Sequence, residues 1–196
     1  ADKPLLTVSL HRAEQLSDEL IALAPARVYV PVELLAQLDL SPYLGKSEFF
    51  AVLPRIYRTQ DEPILRALLE DAAKKGVTGV SIGNLGHLPL VRGLDAALHG
   101  DWALNVYNSA ALSFWKKEGL SSACASFELR DAQLRDLSKC LPCEAIVYGR
   151  LPLMVTENCL NANESGCRYF KERPASVPAD GACASAPELT DRRGEH

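Results

Sequence analysis

Apolar, strand-forming runs recur along the chain at Leu5 to Leu10, Arg27 to Val32, Phe49 to Leu53, Val77 to Ile82, Ala103 to Val106, Ser122 to Leu129 and Glu144 to Tyr148. Their starts lie mostly about twenty to thirty residues apart, and the stretches between them carry helical spacing. Leu16, Leu20 and Leu23 mark one such face after the first run, and Leu65, Leu68, Leu69 and Ala72 mark another after the third. The helix in that third interval has clear ends. Asp61, Glu62 and Pro63 suit a first turn, Lys74 and Lys75 suit a last turn, and Gly76 stops it. Ser109 is placed to cap the next helix, with Leu112 and Trp115 on one face and Gly119 as its stop. Asp131 is placed to cap the helix that carries Leu134 and Leu137. The last run, from Glu144 to Tyr148, lies between Pro142 and Gly149 and predicts an interior strand.

Strand, helix and strand repeated at this period give parallel strands, which must be covered on both faces or closed into a barrel. No Gly-x-Gly-x-x-Gly follows the first strand, where a dinucleotide-binding sheet places it, and polar residues recur just after several strands, as the active face of a barrel requires. The expected fold class is therefore α/β, a partial or complete (β/α) TIM-like barrel of about seven parallel strands. A closed barrel has about eight, so the missing one lies outside the chain or leaves an edge for a neighbouring segment to cover. In this reading residues 1–158 form the barrel-like domain. Residues 159–196, with Pro174, Pro178, Gly181 and Pro187 and little periodicity, form a cysteine-bearing loop tail. The abrupt start, and the end at Arg192-Arg193-Gly194-Glu195-His196, are what an excised portion of a longer protein would show.

Composition narrows the class. A chain of 196 residues with 47% hydrophobic and 23% charged content suits one domain with a buried core. No apolar run approaches the roughly 18 residues of a membrane-spanning helix, and no apolar leader opens the sequence. Six cysteines are too few for a disulfide scaffold of this length, so a cytoplasmic protein with reduced thiols and no membrane partner is expected. The net charge of −4 argues against an autonomous nucleic-acid binder, so an RNA partner would need help from elsewhere.

Three thiols, Cys159, Cys167 and Cys183, lie past the last strand, soft metal ligands one short of a set of four. Zinc with one non-cysteine ligand, and thiols without any metal, stay open beside them. Cys140 and Cys143 form a Cys-x-x-Cys, but they precede the seventh strand whereas Cys159 follows it, which separates the groups by about 15 Å or more. Cys124, within the sixth strand, reads as a small apolar filler. Residues at the carboxyl ends of barrel strands line the active face, which selects Asn84, Asp101, Asn105, Asn108, Glu128 and Arg150. Glu128 and Arg150 follow adjacent strands and are placed to pair, either to hold Arg150 as an anion or carbonyl binder or as a structural salt bridge. His99 and Asp101 are read as a base and its orienter, or His99 as a satisfied residue in a turn. Asn105 and Asn108 serve backbone groups near the Ser109 helix as readily as a ligand. Trp102, Phe114, Trp115 and Phe127 read as packing, without the basic and aromatic interleaving that stacks exposed bases. No His-Glu-x-x-His or Gly-x-Ser-x-Gly is present.

The stretch from Glu144 to Cys159, with HGDWALNVYNSAA from His99 to Ala111, SIGNLG from Ser81 to Gly86 and SFEL from Ser126 to Leu129, resembles peptidase family U32. The family pattern has a Glu at a strand start, an aromatic two residues on, His-Gly, a Cys three residues after that Gly and a second Cys ten residues after it. Glu144, Gly149 and Cys159 match in register, while Ile146 stands for the aromatic, Tyr148 for the His and Pro152 for the first Cys. The likeness is to the carboxy-terminal U32 segment of long bacterial members, whose chain continues past the stretch matching Asp191 to Gly194 to a further cysteine.

The resemblance implies a TIM-barrel-like domain and two competing activities. One is collagenase-like proteolysis. The other is oxygen-independent hydroxylation of RNA or a small molecule, supported by an iron–sulfur cluster on four cysteines. The expected site then has Asp101, Glu128 and Arg150 as catalytic residues and Asn84, His99, Asn105, Asn108 and Tyr148 around the substrate. Cys159, Cys167 and Cys183 would be the metal ligands, hanging over the rim that gathers Glu128 and Arg150. The cluster is expected in the full-length protein with zinc as the alternative, and no metal in this chain by itself. The remainder of the parent polypeptide is the expected partner. A non-catalytic accessory or substrate-binding module is the alternative, favoured by Pro152 and the missing fourth thiol.

Overall fold

A computed structural model describes residues 4–138 and 140–152. The chain divides into two units, Ala1–Gly149 and Arg150–His196, and the fold set out here is that of the first. Cys159, Cys167 and Cys183 lie outside the described residues.

Seven parallel strands pair in sequence order: β1 (Thr7–Ser9), β2 (Arg27–Pro31), β3 (Glu48–Val52), β4 (Gly79–Ile82), β5 (Ala97–Gly100), β6 (Ser122–Cys124) and β7 (Cys143–Glu144). Between them lie α1 (Asp18–Ala22), α2 (Val32–Leu35), α3 (Glu62–Lys74), α4 (Leu88–Val91), α5 (Ser109–Lys117) and α6 (Asp131–Asp136). The βαβ rhythm read from hydrophobic spacing is thus the rhythm of the fold. Three strand placements change. The sixth strand ends at Cys124 rather than Leu129, because the chain leaves the sheet in a turn, where the Leu129 N–H bonds the Ser126 carbonyl at 3.1 Å. The fifth strand is Ala97–Gly100 rather than Ala103 to Val106, because residues 102–104 wind into a 3-10 turn and Asn105 turns left-handed at φ 48°. Only Val106 then touches the sheet, in a single bridge to Ala125. The seventh strand stops at Glu144, because β6 ends at Cys124 and leaves Ala145 to Tyr148 without a ladder to join. Val147 is 89% exposed and Tyr148 97% exposed.

The helix ends follow local chemistry. The Ser17 hydroxyl accepts the Leu20 N–H at 3.3 Å to start α1. Asn108, not Ser109, caps α5 through its Oδ1 and the Ala111 N–H at 2.9 Å, and Arg130 rather than Asp131 occupies the cap of α6. Lys75, just past α3, donates from Nζ to the carbonyls of Leu35 at 2.7 Å and Ala36 at 2.9 Å, which satisfies the end of α2. No helix among the described residues is long and apolar enough to cross a membrane.

Parallel pairing in register puts paired residues on one face, so the sheet sorts its side chains cleanly. One face carries Val28, Val30, Phe49, Ala51, Val80, Ile82 and Ala123, and these pack with Leu65, Leu69, Ala72, Leu112 and Trp115 of the helices to make the core. The other face carries Thr7, Arg27, Tyr29, Glu48, Phe50, Ser81, His99, Ser122 and Glu144. That face is concave. Arg27 of β2 reaches Ser122 of β6 at 2.8 Å, whereas a flat sheet would hold those strands about 19 Å apart. Thr7 of β1 meets Glu144 of β7 at 3.4 Å, so the curl brings the two sheet edges within reach of one side-chain contact. The result is a curled half-barrel with helices between its strands, and the tilt of its strands levels residues from different pairing rows.

Gly79 marks how closely the inner face is filled. A Cβ there would lie 2.3 Å from the ring of Phe50, which is 1% exposed and backed by Tyr29. Gly79→Ala should therefore cost about 1–3 kcal/mol in urea denaturation, because the ring has no free space to enter. An unchanged midpoint would show that the inner face is looser than described.

Candidate functional site

Glu144 is the centre of the concave face. Its Oε1 accepts the Tyr29 hydroxyl at 2.6 Å, and its Oε2 accepts the Thr7 hydroxyl at 3.4 Å. Arg27 stands 3.6 Å away while its Nε bonds Glu48 at 2.9 Å, and its guanidinium carbon lies 4.6 Å above the Phe50 ring. Burial lifts the Glu144 carboxyl above its ordinary range, although Tyr29, Arg27 and Thr7 pull the other way. Burial, then the Glu144 charge, also raises the Tyr29 phenol, which stays protonated and donates.

His99 completes this layer from β5 and is 2% exposed. Arg27 Nη1 donates to Ser122 Oγ at 2.8 Å, which leaves the Ser122 proton for His99 Nδ1 at 2.9 Å. The ring proton is thereby assigned to Nε2, which points at Glu144 Oε2 from 3.6 Å. Burial, reinforced by the Arg27 charge, pushes His99 down to about 3, so the imidazole is neutral and its contact with Glu144 is not an ion pair. Serine, histidine and glutamate stand here in the order of a hydrolytic triad, but Ser122 is 1% exposed and its oxygen is covered by Arg27. It cannot attack a polypeptide.

A second layer sits at the carboxyl ends of the strands. Asp101, just after β5, accepts the Trp102 N–H at 2.7 Å and stands 3.7 Å from Arg55. Arg55 lies flat over Trp102, 3.4 Å from the ring centroid, and Trp102 meets Phe127 edge-on at 5.6 Å. Burial raises the Asp101 carboxyl in spite of the Trp102 N–H and Arg55. Asn84 donates to the Arg55 carbonyl at 3.4 Å and accepts the Gly86 N–H at 2.8 Å.

The residues chosen from sequence therefore separate. Asn84 and Asp101 come together through Arg55. His99 is a buried strand residue rather than a turn residue, and it faces Ser122 and Glu144 instead of being oriented by Asp101. Asn105 is an exposed left-handed turn residue and Asn108 a helix cap. Glu128 is exposed, its N–H bonded to Ser126 at 3.4 Å; Tyr148 points into solvent, and Arg150 begins the second unit. Cys124 is buried and its thiol is pushed up to about 12 by burial, which leaves it inert, as a filler should be. Cys124 and Cys140 are free thiols. Among the described residues no group of three or more His, Cys, Asp or Glu side chains converges to hold a metal ion.

Arg27, Tyr29, Ser122 and Arg55 were not singled out by sequence. A signal existed for the first two: a strand buried on both faces reads as continuously apolar, whereas Arg27-Val28-Tyr29-Val30 alternates. Arg55 had none, because its role depends on a tryptophan that is distant in sequence.

The sequence matches the family model described as Peptidase family U32 over residues 43–186. The chain belongs to peptidase family U32. No curated protein matches it. The U32 match takes in Arg55, His99, Asp101, Ser122 and Glu144, while Thr7, Arg27 and Tyr29 precede it. The polar clasp on Glu144 is thus built partly by strands outside the matched U32 segment.

The neutral His99 has a measurable consequence. Its folded pKa lies below its unfolded value of about 6.5, so the unfolded chain takes up a proton that the native one refuses. The stability it contributes is full above that value and is lost as pH falls from there towards 3, by up to about 1.4 kcal/mol per pH unit. The raised carboxyls of Glu144 and Asp101 act oppositely, since the native state takes their protons first as pH falls. The His99 ring signal should stay constant by NMR down to about pH 5, and His99→Gln should flatten the acid limb of stability. A midpoint near the ordinary histidine value would contradict the buried placement.

Proposed function

We propose that this U32 chain is the substrate-holding barrel of an enzyme that supports oxygen-independent hydroxylation in a reducing bacterial cytoplasm. RNA or a small molecule is the substrate. The observation that carries the reading is the polar inner face. Glu144 is fixed by two hydroxyls and flanked by Arg27, and His99 beside it is kept neutral. That arrangement suits proton transfer at a held carboxylate and does not suit nucleophilic attack on a peptide bond, because Ser122, the serine bonded to His99, is covered.

Within this reading Glu144 takes a proton from the bound substrate, Tyr29 and Thr7 fix the carboxylate, and Asp101 at the mouth is a second acceptor raised by burial. Cys159, Cys167 and Cys183 would hold an iron–sulfur cluster with a fourth ligand from the rest of the parent polypeptide. When bound, the cluster supplies one-electron chemistry. A non-catalytic substrate-binding module is the second reading, and Pro152, standing where the U32 pattern has a cysteine, favours it.

Anaerobic purification of the full-length protein with iron, sulfide and zinc assays tests the proposal. Iron and sulfide should be present, Cys159→Ser should lose the brown chromophore, and Glu144→Gln should keep the iron while the hydroxylated product falls by roughly a hundredfold or more. A colourless, iron-free protein, or cleavage of gelatin by the pure protein, would overturn it.

A further inference from the structure

The helix layer on the convex side of the sheet has a gap. α3 runs for 13 residues and α5 for 9, but α4, between β4 and β5, has only 4, and the chain then turns at Gly93 with φ 84°. A helix of one turn is about 6 Å long and cannot cover the outer side of two strands. Ala51 and Val80 of the sheet, Leu69 and Ala72 of α3, and Leu94 and Asp95 of the turn into β5 enclose a cavity of about 150 Å³ there. Its wall is apolar apart from the Asp95 side chain, and its exposed residues, Ala73, Leu94 and Asp95, form its mouth. Among the described residues no side chain pairs with Asp95. The cavity is separate from the concave face, because Ala51 and Val80 alternate with Phe50 and Ser81 along their strands and point the other way.

We propose that this cavity between α3 and the outer face of β3 and β4 binds a small apolar amine, its hydrocarbon body against Ala51, Val80 and Leu69 and its ammonium group at Asp95. An apolar hole of this volume holds a molecule of about the size of benzene, which supplies the wall with contacts that it otherwise lacks. The carboxylate at the mouth selects the head group. It attracts a cation and repels an anion, and an ammonium placed at the mouth keeps part of its water while the body is buried. The net charge of −4 on the chain acts in the same direction. The space is too small for a helix, which is about 10 Å across, so its size suits a small molecule rather than a protein segment. The proposal is independent of the hydroxylase reading, since it uses none of the residues on the concave face.

Cyclohexylamine at neutral pH is a suitable probe, followed through the methyl signals of Leu69 and Val80 by NMR in the 196-residue chain. Both signals should shift saturably, and the thermal midpoint should rise with ligand concentration. Asp95→Asn, at an exposed position, should weaken the amine about threefold to tenfold and leave the binding of cyclohexanol as it was. Cyclohexanecarboxylate should bind more weakly than either. Ala72→Leu should abolish binding by filling the cavity. Ala73→Leu, at the exposed mouth, should do the same without entering the core, so the test stands even where the first variant fails to fold. Absence of a shift, equal amine binding in Asp95→Asn, or the carboxylate binding as tightly as the amine would each overturn the proposal. So would self-association of the chain that Ala73→Leu abolishes, since a second copy would then fill the cavity.

Discussion

Everything on the inner face depends on how one half-buried carboxylate is satisfied. Glu144 sits on the last strand, and its partners come from the first strand, Thr7, and the second, Tyr29 and Arg27. A carboxylate taken out of water costs several kcal/mol unless hydrogen bonds and an opposite charge replace its hydration. Those partners reach it only if seven strands curl until the sheet edges approach each other. The carboxylate and the curvature therefore specify each other. Removing Glu144 would leave Arg27 and Tyr29 facing a gap, and flattening the sheet would leave Glu144 unpaired.

Such a polar interior is tolerable because the stability of the domain is generated elsewhere. The apolar face of the sheet, with Val28, Val30, Phe49, Ala51, Val80 and Ile82, packs under α3 and α5, where Leu65, Leu69, Leu112 and Trp115 are buried. Each large apolar side chain buried there contributes about 1.5–3 kcal/mol. The concave face contributes orientation instead. It holds a neutral histidine, a raised carboxyl and a fixed arginine close together, and a second raised carboxyl, Asp101, lies at the strand ends beside Arg55. Perturbed groups of this kind gather where a protein handles ligands and protons.

The strand and helix order was legible because apolar spacing and end signals act locally, as in α3, Glu62–Lys74. What failed was whatever depended on partners. Ala103 to Val106 and Ala145 to Tyr148 have strand-like composition, yet neither finds a full ladder, so tertiary pairing overrides propensity. Asp101 and Asn84 follow strands β5 and β4, a position that the sequence pattern alone picks out. The pattern does not mark Arg55 and Ser122, since one is defined by a stack on Trp102 and the other by a bond across the sheet from Arg27. His99 was misplaced because Gly100 and Asp101 read as a turn, whereas pairing with β4 and β6 keeps Ala97 to Gly100 extended.

The most direct measurement of the central claim is a double-mutant cycle on Tyr29→Phe and Glu144→Gln, read as unfolding free energy. Residues that share a short, charge-assisted hydrogen bond across the curled sheet should show a coupling of about 1–3 kcal/mol. Strict additivity, within about 0.5 kcal/mol, would mean that strands two and seven do not meet through these side chains and that the inner face is not built around Glu144.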